Sequence, residues 1–160
     1  MSRQVLSEQS STALDAWVRL LQAHASTTRA LSGSLLAEHG LTLNDYEALL
    51  RLSRAEDGRM RRVDLADELL LTASGVTRLL DGLEAAGYVE RASCATDRRV
   101  VYAVITDVGR DKLETASESH LAEIRALFDE RFDPKELEQL AQLLGRLPGA
   151  EDASGEECGT

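Results

Sequence analysis

Apolar residues recur every three or four positions over two long stretches, 12–38 and 107–130, and over shorter ones between and after them. Only around 88–105 does the spacing fall to about two. A period near 3.6 predicts helix and a period of two predicts strand. In the first long stretch Leu14, Trp17, Val18, Leu21, Ala25, Thr28, Leu31 and Leu35 carry the helical spacing. One helix over 12–38 would be a rod of roughly 39 Å at about 1.5 Å per residue. A domain this small cannot bury such a rod alone, and a partner subunit is the simplest cover. Gly40 breaks the chain, and Thr42 with Asp45 three residues on forms a capping-box start for a helix over 43–55. Leu43, Tyr46, Leu49, Leu50 and Leu52 are its buried side. Glu56-Asp57-Gly58 reads as a turn, and 59–62 as a short strand.

The stretch 63–106 has the densest pattern. Val63, Leu65, Ala66 and Leu69 share one side of a predicted helix over 63–70, with Asp64, Asp67 and Glu68 opposite. Leu71-Thr72-Ala73 is the turn, and the Thr72 hydroxyl suits an N-cap. A second helix runs to Ala86 on the stripe Val76, Leu79, Leu80, Leu83, and Gly87 stops it. Tyr88–Arg91 and Val100–Ile105 then read as paired strands around a polar loop, 92–99. Two helices on a short turn followed by a hairpin form a winged helix-turn-helix pattern, whose second helix fits a DNA major groove. A plain helical hairpin beside a β-hairpin has the same spacing. Thr106 caps a helix over 107–130, and Asp133-Pro134-Lys135-Glu136 starts a last one carrying Leu137, Leu140, Leu143, Leu144 and Leu147. The fold class is mainly α with a small β-hairpin wing (α+β): a winged helix-turn-helix core flanked by long dimerisation helices.

Charge at first argues against a nucleic-acid partner, since the net charge is −10. Its distribution removes the conflict. Residues 113–160 hold 4 Lys+Arg against 12 Asp+Glu, whereas residues 51–112 hold 11 of each. The cations of that middle third bunch as Arg51, Arg54, Arg59, Arg61, Arg62 and again as Arg78, Arg91, Arg98, Arg99. Local potential, not total charge, decides where a polyanion docks. Aromatic residues make up only 4% of the chain, so the core must be Leu, Val and Ala. The two cysteines, Cys94 and Cys158, and the three histidines, His24, His39 and His120, have no metal-ligand spacing. No metal and no cofactor are expected. There is no Ser/His/Asp or Cys/His arrangement and no phosphate loop, so an enzyme is not expected. No apolar run approaches a membrane span or a signal core, which predicts a cytoplasmic protein without a membrane partner.

The region from 63 to 112 resembles the MarR family of bacterial transcription regulators. The resemblance rests on Leu65-Ala66, Leu69, Val76-Thr77-Arg78-Leu79-Leu80-Asp81, Leu83-Glu84 and Gly87-Tyr88-Val89-Glu90-Arg91, then Asp97-Arg98-Arg99 and Thr106-x-x-Gly109-Arg110. In layout it extends over about 13–147. Two departures stand out: Leu70 where the family often has glycine, and Gly75 where a hydroxyl or longer side chain is usual. The resemblance implies a homodimer whose first and last two helices interlock with those of a second subunit. It makes 12–38 and 107–147 a helical dimerisation region and 40–106 a DNA-binding lobe, while composition marks 1–11 as a flexible arm and 148–160 as a disordered acidic tail. A two-fold dimer would favour a near-palindromic operator in double-stranded DNA.

Ser74, Thr77 and Arg78 are the candidates for the major groove, because Arg pairs bidentately with guanine and Ser or Thr serves bases or phosphates. Ser74 is equally well explained as part of the helix cap. By the resemblance Asp97 holds the wing loop and Arg99 reaches the minor groove or backbone, with Arg98 able to substitute. Arg61 and Arg62 are phosphate candidates, or a solvated cluster. The resemblance also implies repression relieved by a small aromatic or phenolic effector, for which Trp17, His24 and Tyr46 are candidate cleft residues. Core or interface packing explains those three as well. Urate is not assigned, since Leu21 stands where urate-responsive relatives carry arginine. Two alternatives remain: a winged-helix protein–protein interaction module that binds no DNA, and a redox-modulated regulator in which Arg91 and Arg98 lower the pKa of Cys94.

Overall fold

The computed structural model describes residues 12–150, so the proposed N-terminal arm and most of the acidic tail lie outside the described residues. The chain divides into two compact units, one up to His120 and one from Leu121.

The first unit begins with α1 (Thr12–His39), which runs one residue past its expected end. Only its Leu35 is buried. Leu14, Trp17, Val18 and Leu21 are 53%, 56%, 42% and 47% exposed, so among the described residues the apolar stripe of its first half is open by about half. Next is α2 (Leu43–Arg54), started by a complete capping box. The Thr42 hydroxyl accepts from the Asp45 N–H at 3.1 Å, and the Asp45 carboxylate accepts from the Thr42 N–H at 2.8 Å. One 3₁₀ turn, Glu56–Gly58, leads into β1 (Arg59–Arg61). Then come α3 (Arg62–Glu68), α4 (Ala73–Ala85), β2 (Val89–Ser93) and β3 (Val101–Ile105). The strands form one antiparallel sheet in the order β1-β3-β2. Val89 pairs with Ile105, Ser93 with Val101, and Arg61 with Tyr102.

Helix α5 (Asp107–Asp129) starts in this unit. Its residues 117–120 are tied to the two first helices. Tyr46 Oη and Ser117 Oγ are 3.0 Å apart, His39 Nε2 and Ser119 Oγ 2.7 Å, and the rings of Tyr46 and His120 meet edge-on at 4.7 Å. The core is aliphatic, as a 4% aromatic content demands: Leu35, Leu41, Leu49, Leu52 and Leu65 meet Val76, Leu80, Val89 and Ala103.

The second unit holds the end of α5 and α6 (Pro134–Leu144). Asp133 caps α6, accepting from the N–H groups of Lys135 and Glu136 at 2.8 and 2.9 Å. None of the α6 residues is buried, and Leu143, Leu144 and Leu147 are 48%, 37% and 42% exposed.

The turn between α3 and α4 departs from the sequence expectation. α3 starts at Arg62 rather than Val63 and stops at Glu68 rather than Leu70. Val63, expected on the apolar side, is 56% exposed. The stop is a Schellman motif: Leu71 N–H donates to Ala66 O and Leu70 N–H to Asp67 O, at 2.9 and 3.2 Å. This geometry puts Leu70 at φ 52°, in the left-handed region. α4 ends the same way, with Tyr88 N–H on Leu83 O and Gly87 N–H on Glu84 O, both at 2.9 Å, and Gly87 at φ 77°. Two helices thus share one stop, built once with glycine and once with leucine. The leucine costs about 1–2 kcal/mol of steric strain, and its side chain, 93% exposed, recovers little by burial. Leu70→Gly should therefore raise the unfolding free energy by about 0.5–1 kcal/mol, after the extra freedom of glycine in the unfolded chain. Gly87→Ala should lower it by about 1–2 kcal/mol. Urea denaturation of the full chain checks both, and a loss of stability in the Leu70→Gly variant would show that the leucine side chain contributes packing.

Candidate nucleic-acid interface

The start of α4 is built from small polar residues. Thr72 Oγ1 accepts from the Gly75 N–H at 3.0 Å and lies 3.2 Å from the Ser74 hydroxyl. A side chain at position 75 would press on that capping oxygen, since an added Cβ would sit 3.1 Å from it. Glycine there leaves the cap undisturbed. The Thr77 hydroxyl donates to the Ala73 carbonyl at 2.8 Å, which fixes its rotamer and leaves a lone pair outward. Arg78 is exposed and has no ion pair or hydrogen bond among the described residues. The first turn of α4 holds no acid. The acids come later, Asp81 and Glu84, and Arg91 of β2 engages both, with its Nε 3.1 Å from Glu84. The outward face of α4 is therefore hydroxyl and guanidinium at its start and charge-compensated farther along. This pairing was missed in the sequence, where Arg91 reads as one more free cation. Its signal was there: two acids three apart on the outer face of a helix, and an arginine in the strand that returns past it.

The wing loop joins β2 to β3. The Asp97 carboxylate accepts from the Arg99 N–H at 2.9 Å, Val100 N–H donates to Asp97 O at 3.1 Å, and Cys94 N–H donates to Val100 O at 3.2 Å. The aspartate side chain closes the loop on itself and leaves Arg98 and Arg99 exposed.

Arg61 and Arg62, adjacent in sequence, differ in state. Arg61 is the N-cap residue of α3 and offers the helix no side-chain cap. Its guanidinium instead grips Asp64 in the first turn through Nε at 2.6 Å and Nη2 at 2.7 Å. That pair holds the Asp64 carboxyl below the usual carboxylate range and raises Arg61. Arg62 is half-buried and has no ion pair among the described residues. Two shallow grooves lie beside it. One, of about 110 Å³, is lined by Arg61, Arg62, Val63, Arg99, Val100 and Val101. The other, of about 210 Å³, is lined by Arg62, Arg91, Ala92, Ser93, Arg98 and Val101. The fold thus gathers the arginines of 61–62 and those of the wing on one surface.

The remaining candidates do not come together in this way. Tyr46 is 5% exposed and packs on His120 in the core. Trp17 and His24 lie on the open face of α1. Cys94 is half-buried, and its thiol pKa is pushed down by the Thr96 hydroxyl 3.2 Å away, then by the backbone N–H groups of Thr96 and Asp97. Those groups, not Arg91 and Arg98, cause the shift, which corrects the expectation from the charge run. No described helix is long and apolar enough to cross a membrane.

Comparison with known proteins converges on one family. A family model described as "MarR family" matches residues 39–100. The HTH-type transcriptional repressor YetL of Bacillus subtilis is 31% identical over 111 residues, 69% of this chain and 66% of that protein. Among solved structures, AbsC, a MarR family transcriptional regulator from Streptomyces coelicolor, is 34% identical with a TM-score of 0.75, over 89% of this chain and 95% of that one. Sco3205, a MarR family transcriptional regulator of the same organism solved in complex with DNA, is 25% identical with a TM-score of 0.74, over 80% of each chain. The winged helix-turn-helix, its Thr106-x-x-Gly109-Arg110 motif and these relatives agree: this chain belongs to the MarR family of transcriptional regulators.

Proposed function

We propose that this chain is a homodimeric repressor that reads a near-palindromic site in double-stranded DNA with α4 and grips the flanking backbone with its wing, and that a small aromatic or phenolic effector releases it. One observation carries the DNA part: Arg78 stands exposed and unpaired among the described residues, next to Ser74 and Thr77, on a helix whose first turn has no acid. A guanidinium free of protein partners is ready to pair bidentately with guanine. The DNA complex of Sco3205 and the repressor role of YetL support the same reading by likeness. The dimer is supported by the exposure of Trp17, Val18 and Leu21 among the described residues, and separately by that of Leu143, Leu144 and Leu147. The effector part rests on the family resemblance. Trp17 is the chain's single tryptophan, so quenching of its fluorescence by an added phenolic acid, with parallel release of DNA, tests it.

A second reading, redox modulation through Cys94, has one observation in its favour, the thiol pKa pushed down by Thr96. Equal loss of DNA affinity in Cys94→Ser and unsubstituted chains after peroxide would remove it.

Titration into a labelled duplex from upstream of its own gene should give at least about tenfold tighter binding than to a scrambled duplex near 150 mM salt, roughly 1.4 kcal/mol. Arg78→Ala should cost about 1–3 kcal/mol on the first duplex, little on the second, and leave the melting temperature unchanged. Absence of binding to either duplex at low salt would leave the interaction-module reading in its place. Leu21→Glu, on the open face of α1, should convert the dimer to monomer in sedimentation velocity. It should also weaken operator binding by roughly 10²-fold, because two linked half-site contacts become one.

A further inference from the structure

Among the described residues a left-handed backbone occurs at Gly40, Gly58, Gly87, Gly149, Asp57 and Leu70. Glycine meets no steric cost there, and aspartate is one of the few side chains that visits the region routinely. Leucine is the exception. The same hydrogen-bonded stop ends α4 on Gly87, so the turn itself does not require a leucine. The side chain gives the fold little in return. Leu70 is almost fully exposed, while its neighbours Leu69 and Leu71 pack on the core. Strain that no packing offsets in the free chain points to a contact made with something else.

The position of the side chain says what it meets. Leu70 stands two residues before Thr72, the N-cap of α4, and the exposed residues that follow it are Thr72, Ala73, Ser74 and Arg78. The leucine therefore extends the outward edge of the α4 start into the turn. Its partner must be apolar. Asp67, exposed and with no ion pair among the described residues, lies three residues before it, so a phosphate is not the group that fits. Base pairs present one apolar group in the major groove, the C5-methyl of thymine. Leucine methyls pack on such a group, and neither side needs a hydrogen bond.

We propose that Leu70 is a specificity-determining residue, which packs on a thymine C5-methyl in the major groove beside the groups met by Ser74, Thr77 and Arg78. The inference rests on the reading of α4 given above. It adds to each half-site a thymine that the polar candidates alone do not require. It also gives the strained turn a consequence: the free chain is less stable for a side chain that acts only in the complex.

The test is a double-mutant cycle on the full chain, with the labelled upstream duplex and the same duplex carrying deoxyuridine at every thymidine. Uracil pairs as thymine does and lacks only the methyl. Leu70→Asn suits the left-handed backbone and removes the apolar surface, whereas Leu70→Met keeps that surface. On the thymidine duplex Leu70→Asn should bind about fourfold more weakly per half-site, the worth of one buried methyl. Leu70→Met should stay within about twofold. Deoxyuridine should weaken the unsubstituted chain about fourfold per half-site more than it weakens Leu70→Asn, in which the contact is already gone. Leu70→Asn should melt at or above the unsubstituted chain, which separates a lost contact from a lost fold; a lower melting temperature would place the leucine in the fold and overturn the proposal. Equal weakening of the two proteins by deoxyuridine, or undiminished binding of Leu70→Asn to the thymidine duplex, overturns it while the operator reading stands. No preference of the unsubstituted chain for the upstream duplex over a scrambled one removes the operator reading and this inference with it.

Discussion

The Thr106 side chain joins the elements that the DNA-reading half depends on. Its hydroxyl donates to the Gly87 carbonyl at 2.7 Å and accepts from the Gly109 N–H at 3.0 Å, while its own N–H donates to the Tyr88 carbonyl at 3.0 Å. The end of α4, the approach to β2, the end of β3 and the start of α5 therefore meet at one residue. Gly109 is part of the same junction. Any Cβ there would run into the Tyr88 carbonyl oxygen and press on Ile105 at 3.0 Å, so only glycine lets α5 come this close. Rigidity at this point matters because the other main attachment of α4 is its buried apolar stripe. Packing of Val76, Leu80 and Leu83 sets its depth, but a greasy contact by itself tolerates sliding and rotation. Directional bonds at its C-terminal end, with the Arg91 clamp on Asp81 and Glu84, fix its heading relative to the wing.

Those same pairings sort the arginines by availability. A chain with net charge −10 must keep its acids away from a polyanion or neutralise them. The fold does the second where it matters. Asp64 is held by Arg61, and Asp81 with Glu84 by Arg91, so these three acids beside the proposed reading surface are answered by cations. These pairs are solvent-exposed, and as stability devices they are worth little. Their consequence is electrostatic: they cancel local negative potential and leave Arg62, Arg78, Arg98 and Arg99 as the uncompensated charge.

Features set by neighbours in sequence were legible in the sequence. The Thr42–Asp45 box, the Thr72 and Asp133 caps and the Gly87 stop act within a few residues and formed where the spacing placed them, while β2 starts one residue later and runs two residues farther than its expected 88–91. Features set across the fold were not. Arg61 reaches Asp64 only three residues on, yet that spacing does not say whether Arg61 or its neighbour Arg62 takes an acid. The crossing of Arg91 from β2 to α4 left only the signal of two acids three apart on an outer helix face. Tyr46 reads as core or interface packing or, less readily, as cleft until Ser117, 71 residues on, and His120 beyond it are brought against it. Leu70 is the instructive case. Its left-handed backbone breaks the propensity rule, so propensity extends α3 by two residues. The Schellman hydrogen bonds of the turn override that preference. The resemblance already marked this position, because the family's glycine is the residue that the geometry prefers.

In the proposed dimer, two acidic chains must associate against their own repulsion. The stripe of Leu14, Trp17, Val18 and Leu21 has no formal charge, and apolar burial is the force that added salt does not screen. Salt therefore affects the two equilibria in opposite senses. It relieves repulsion between acidic subunits and favours pairing, while it weakens arginine–phosphate contacts through counterion competition. At protein concentrations near the dimer dissociation constant these effects offset one another, and the salt slope for DNA underestimates the number of phosphates held. Above that concentration the dimer is already formed, and the slope reports the guanidinium contacts alone. The apolar face of α1 and the arginines of the wing are thus coupled in what can be measured, although no residue of one lines the grooves of the other.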